Sequence, residues 1–277
     1  MNLQALATQA RNDQWLISSD AYSAVIDALA LGTTGANTPR ETVSKQDATA
    51  VVQIHGPLLS RHSVLSEALG WPSYTEITGH LAALEANEDV SRIVLAFDSP
   101  GGQVSGVHEL AQTIKSMSTT VDAFVSGNCA SAAYWLASQC DSITASATAI
   151  VGSIGVRTIY SGKDPRSILA STSPRKDLNA DDWQAVATAL NEVFIADVAR
   201  GRGVSADHVK KHYGQGGIFV GTQALTAGLV DSIGLMSEVV AGNHHAGSEQ
   251  RQQESIEAGW QAALAESAEI RAEALIR

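Results

Sequence analysis

Strand-like and helix-like segments alternate from residue 48 onward, which predicts an α/β fold with a mostly parallel sheet and flanking helices. Composition points the same way. Aromatic residues are only 5% of the 277-residue chain, and 23 glycines with many alanines suit close helix-on-sheet packing better than a β-sandwich. With 44% hydrophobic residues the chain can bury a sizeable core.

Taken in order, residues 1–44 read as an N-terminal helical arm, with a helix from Ala21 to Leu31 ended by the turn-rich stretch Gly32 to Pro39. Thr49 to Ile54 is a short β-branched run closed by Gly56-Pro57, the pattern of a buried strand. Ser73-Tyr74-Thr75-Glu76 forms a capping box before a helix with Ile77, Leu81 and Leu84 on its apolar side. Arg92–Phe97 and Val121–Ser126 are further strands, the latter broken by Gly127, each followed by a helix: Val104–Met117 and Ser131–Gln139. Two short strands are expected at Gly155–Tyr160 and Arg166–Ser171. Helices follow at Ala180–Gly201 and Ala206–Tyr213, then a strand at Ile218–Val220 and a helix near Gln223–Ala227. One domain spanning 45–241 accounts for all of this. Residues 242–277 form an acidic tail rich in Gln, Glu and Ala, of helical propensity but with few large apolar residues.

Several function classes are disfavoured. The net charge of −11 argues against nucleic acid as the main partner. No apolar run is long enough to cross a bilayer, and Arg11 and Asp13 interrupt any signal-peptide core. Cys129 and Cys140 make no disulfide framework and read as small apolar residues in a reducing cytosol. His208 and His212, spaced i, i+4, lack the third ligand and glutamate of a zinc motif, so a solvated face is expected, as is a surface role for His80 and His108. No metal or other cofactor is implied.

The chemistry concentrates at the ends of two neighbouring strands, where ligands bind in parallel α/β sheets. Asp98-Ser99-Pro100-Gly101-Gly102 leaves two glycine N–H groups unobstructed, which suits an oxyanion; a tight turn is the simpler reading. After the next strand, Ser131 stands among Cys129, Ala130, Ala132 and Ala133, either as an accessible nucleophile at a helix start or as that helix's N-cap. Gly152-Ser153-Ile154-Gly155-Val156 is a tight turn or the lining of a substrate groove, through Ser153 and Gly155. No histidine has the setting of a base. A lysine neutralised by burial can serve instead, with Lys176 beside Arg175 and Lys163 in a hydrophilic turn as the candidates.

The order of these motifs resembles the signal peptide peptidase A (protease IV) family of serine peptidases. Gly201-Arg202-Gly203 and Gly221-Thr222-Gln223-Ala224-Leu225-Thr226-Ala227-Gly228-Leu229-Val230-Asp231 continue the match across about residues 48–240. The Tyr134-Trp135-Leu136-Ala137 continuation is most similar to the tailed-phage capsid-assembly (prohead) proteases. The resemblance implies a Clp/crotonase-like fold and a Ser–Lys dyad: Ser131 as nucleophile, Lys176 as base, Gly101 and Gly102 as the oxyanion hole. It also implies protein substrates such as scaffold, capsid or portal proteins, a homo-oligomer, and a place in the host cytoplasm inside the assembling prohead. Two departures stand out. Ala132-Ala133 replaces the family's frequent Gly-Gly, and Lys176 follows Gly155-Val156 too closely for the family's usual intervening helix. Competing readings are a host-type peptide-degrading protease of the same family, a crotonase-like acyl-CoA enzyme, and a non-enzymatic scaffold-type interaction protein.

Overall fold

A computed structural model describes residues 15–16, 42–63, 66–67, 70–157 and 180–243. The expected helix at 21–31, the strands beyond Arg157, both candidate lysines and the tail after Asn243 lie outside the described residues. The strands are β1 (Trp15–Leu16), β2 (Val43–Gln46), β3 (Thr49–His55), β4 (Arg92–Ser99), β5 (Gly102–Gln103), β6 (Thr120–Ala130), β7 (Ser142–Ala145), β8 (Ile150–Gly152), β9 (Ile218–Val220) and β10 (Ser232–Ile233). The helices are α1 (Tyr74–Glu85), α2 (Val107–Ser116), α3 (Ala132–Ala137), α4 (Ala180–Arg202), α5 (Ala206–His212), α6 (Gly221–Thr226) and α7 (Met236–Val240).

The main sheet runs β10-β7-β6-β4-β3-β2, with β8 and β9 branching from β6. Its pairings are parallel except for β2 on β3 and β9 on β8. This is the mostly parallel α/β architecture with flanking helices that the sequence predicts. Strand alternation sends Ile93, Leu95 and Phe97 into the large core under α1, α2 and α3, while Val94 and Ala96 join Phe124 beneath Val239 of α7. β4 is therefore covered on both faces, the reason residues 93–97 are an unbroken apolar run.

Local chemistry sets the helix ends. Ser73 caps α1 by accepting the Glu76 N–H at 3.3 Å, as the capping box predicts. α2 begins at Val107 rather than Val104, because Gly106 takes a left-handed φ of 94°.

The third strand departs from expectation. Gly127 does not end it; β6 continues to Ala130 through a bulge. Phe97 pairs with Val125, but Ser99 pairs with Cys129, so β6 carries two more residues than β4 between these pairs. Asp98 fills the irregularity, accepting the Asn128 N–H at 3.0 Å. Its carboxylate sits 2.4 Å from where a Gly127 Cβ would lie, so a side chain at 127 would push the Asp98 carboxylate from this position. A bulge bends its strand and re-aims the residues next in the chain, and Ser131 comes just after this one.

Candidate active site

Ser131 stands where β6 ends and α3 begins, but it is not a conventional N-cap. Its backbone has φ 56° and ψ −120°, and its side chain makes no capping bond. That corrects the capping alternative: an N-cap side chain works from extended backbone, as Ser73 and Ser205 do in this fold. A non-glycine residue in this region is strained and is found where the surroundings over-determine it, often at functional sites. The geometry is that of a sharp strand-to-helix elbow.

The surroundings that hold it are visible. The Ser131 N–H donates to Gly152 O at 2.8 Å, and its carbonyl accepts the Trp135 N–H at 2.9 Å. On α3, the buried Tyr134 hydroxyl donates to Leu229 O at 2.9 Å. The Trp135 indole N–H donates to Asp197 at 2.8 Å, and its ring stacks on Phe194 with centroids 4.4 Å apart. Asp197 also accepts from Arg200 at 2.6 Å and lies 2.7 Å from Nδ1 of His108. The surface role expected of His108 is thus incorrect: its ring is half exposed, yet it belongs to the polar hub anchoring α3.

The glycine loop lies beside this elbow, since β4 and β6 are neighbours and α3 packs against β5. Gly101 has φ 99°, and its N–H donates to the Ser99 hydroxyl at 3.2 Å. Leu58 N–H donates to Gly101 O and Gln103 N–H to Leu58 O, each at 2.9 Å. Strand alternation then turns the N–H and C=O of Gly102 to the opposite edge. A Cβ on Gly102 would lie 2.0 Å from Leu58 O, so glycine is obligatory for this close approach.

The turn after β8 forms the other wall. Ser153 has φ 54°, and its N–H donates to Gly217 O at 2.7 Å, so it is not available to a bound peptide backbone. A Cβ on Gly155 would meet open space. Gly155 lines a cleft of about 330 Å³ with Ile154, Ala187, Ile195, Val209 and Tyr213. Of the expected groove residues, then, Gly155 faces a cleft and Ser153 shapes the turn.

Sequence reasoning missed the backbone N–H of Ala132. It opens α3, where the first N–H groups have no partner within the helix, and it directly follows the strained serine. The glycine-arginine motifs prove to be structural. Arg202 clamps Asp231 with contacts of 2.6 and 2.9 Å and donates to Gly228 O, and a Cβ on Gly201 would lie 2.0 Å from Ser138 O. Burial pushes the Cys129 and Cys140 thiols up, as fits inert core residues. The His208 and His212 rings lie tilted against one another with centroids 4.7 Å apart, and among the described residues no group of three or more His, Cys, Asp or Glu side chains could hold a metal. None of the described helices is long and apolar enough to cross a membrane.

Comparison with known proteins points to a peptidase family. Residues 46–150 match the Clp protease family model and residues 158–251 that of peptidase family S49. The putative protease slr0021 of Synechocystis is 31% identical over 191 residues, covering 57% of this chain and 68% of that protein. Two phage proteins are also similar. Head-tail preconnector protein GP5 of phage P21 is 26% identical over 75% of this chain, and capsid assembly protease C of phage lambda is 28% identical over 70%. The chain spans 45% and 49% of those two relatives, about half their length. With the Clp-like core, the serine elbow and the S49 match in one continuous order, the chain belongs to the protease 4 (S49) family of peptidases.

Proposed function

We propose that the protein is a serine endopeptidase with a Ser–Lys dyad, acting on scaffold and capsid proteins inside an assembling phage shell in the host cytoplasm. The observation that supports this reading most is the strained backbone of Ser131, held at the tip of β6 beside the Gly101-Gly102 loop. Similarity to two phage head proteins supports the substrate class.

In this reading Lys176, in its neutral form, takes the hydroxyl proton as Ser131 Oγ attacks the scissile carbonyl. The tetrahedral oxyanion is held by backbone N–H groups from the glycine loop, with Ala132 N–H as a further donor. Gly102 already turns its N–H to the edge away from Leu58, whereas Gly101 has to release the Ser99 hydroxyl. The lysine ammonium then protonates the leaving amine, and water hydrolyses the acyl-enzyme by the reverse proton path. The cleft at Gly155, lined by Gln184, Asn191 and Lys210 as well as by apolar side chains, receives a substrate side chain.

Co-expression with a cognate scaffold protein tests this. Ser131→Ala and Lys176→Ala each abolish scaffold cleavage, while Lys163→Ala retains it. Cleavage that survives Ser131→Ala refutes the proposal, and loss only in Lys163→Ala moves the base to that residue.

A further inference from the structure

The edge of β5 is already occupied by this chain itself. Trp15 pairs with Gln103 and Leu16 with Gly102 in antiparallel register, forming a two-stranded sheet separate from the main one. Since the Gly101 carbonyl and Gln103 N–H face Leu58, the N–H and C=O that Gly102 presents on the other edge are those opposite Leu16. Gly102 is thus sandwiched between Leu58 on one side and the N-terminal segment on the other.

The direction of the pairing matters. Running from Trp15 to Leu16, the segment passes from Gln103 to Gly102, toward Gly101 and Ser99. Ser99 pairs with Cys129, two residues before Ser131. A peptide laid on this edge in the same sense delivers its next carbonyls toward the glycine loop and the serine. A strand edge of this kind takes extended backbone by strand addition.

We propose that the N-terminal segment around Trp15–Leu16 is a built-in pseudo-substrate that fills the substrate-binding edge of β5 and competes with external polypeptides. This rests on the reading of Ser131 and the glycine loop as the peptidase site. The tether favours it: only 26 residues separate Leu16 from Val43 in β2, so the segment is at high effective concentration beside the edge. The described pairing covers two residue pairs, short enough for substrate to displace it. If about 10–30% of molecules have an open edge, the apparent KM is raised about three- to tenfold.

Leu16→Pro in the full chain removes the N–H opposite Gly102, while Leu16→Ala keeps it. With fluorescently labelled casein as substrate, Leu16→Pro is expected to lower KM about three- to tenfold at unchanged kcat, and Leu16→Ala to behave like wild type. A synthetic peptide of residues 10–22 is expected to inhibit Leu16→Pro competitively. Unchanged KM and no inhibition by the peptide overturn the proposal. Hydrogen exchange of residues 100–106 is measured in parallel on Ser131→Ala, with and without Leu16→Pro. Faster exchange with proline supports occupancy and equal exchange overturns it, whether or not the protein hydrolyses casein. Casein hydrolysis that persists in Ser131→Ala sinks the serine reading instead, so the two failures are distinguishable.

Discussion

Replacing Ser131 by glycine and, separately, by alanine separates backbone strain from chemistry. Both changes remove the hydroxyl, so both abolish the proposed activity. They differ in what they do to the elbow. At φ 56° and ψ −120° a side chain with a Cβ is strained by about 1–3 kcal/mol, and alanine keeps that strain. Glycine occupies the mirror-image β region freely, but its unfolded chain gains conformational freedom worth about 0.5–1 kcal/mol. The difference leaves Ser131→Gly more stable than Ser131→Ala by roughly 0.5–2 kcal/mol, or roughly 1–8 °C in melting temperature for a chain of this size. Urea unfolding at equal m-value reads this directly. If Ser131→Gly is instead the less stable variant by the ordinary glycine penalty, the serine is not strained and the argument from its backbone fails.

Other perturbations act through the same contacts. Asp197→Leu leaves the Trp135 indole N–H and the Arg200 guanidinium without their buried acceptor, and costs about 3 kcal/mol in urea unfolding. Gly201→Ala drives a methyl into Ser138 O and lowers stability by about 1–3 kcal/mol, although it lies outside the site. Gly102→Ala has the same clash with Leu58 O but at the substrate edge, so it is expected to abolish casein hydrolysis while circular dichroism still reports a folded sheet. Burial holds both thiols protonated above their usual pKa, so native Cys129 and Cys140 resist alkylation at pH 8 and react once unfolded in urea. The linked effect has a definite sign. The stability these protonated thiols contribute is present below about pH 8.5, the ordinary thiol value, and declines as pH rises beyond it.

Much of the fold was legible because its central strands are buried on both faces and α1 and α5 open on serine caps. Ile93 to Phe97 reads as a strand in any context, and Ser73 with Glu76 announces α1. The edge strand β2 was missed because Ser44, Lys45 and Gln46 are exposed, and solvated residues leave no apolar signature. β1 was missed for a different reason: two residues pair with a partner far along the chain, and no local pattern encodes that. At the site, small neighbours and ordered glycine loops pointed to Ser131. The strain itself was hidden, because it arises from Gly152, Leu229 and Asp197 acting through space. Asp197 is a non-local feature too. A lone aspartate inside a long helix looks solvated until Trp135, His108 and Arg200 are seen converging on it.

The central claim is that Ser131 is the activated nucleophile. A fluorophosphonate probe, reacted with the wild-type chain and with Lys176→Ala and Lys163→Ala and mapped by mass spectrometry, tests it most directly. The account predicts a single adduct on Ser131 in wild type, lost in Lys176→Ala and kept in Lys163→Ala. An adduct on another serine, or hydrolytic activity that persists with Ser131 unmodified, would contradict it.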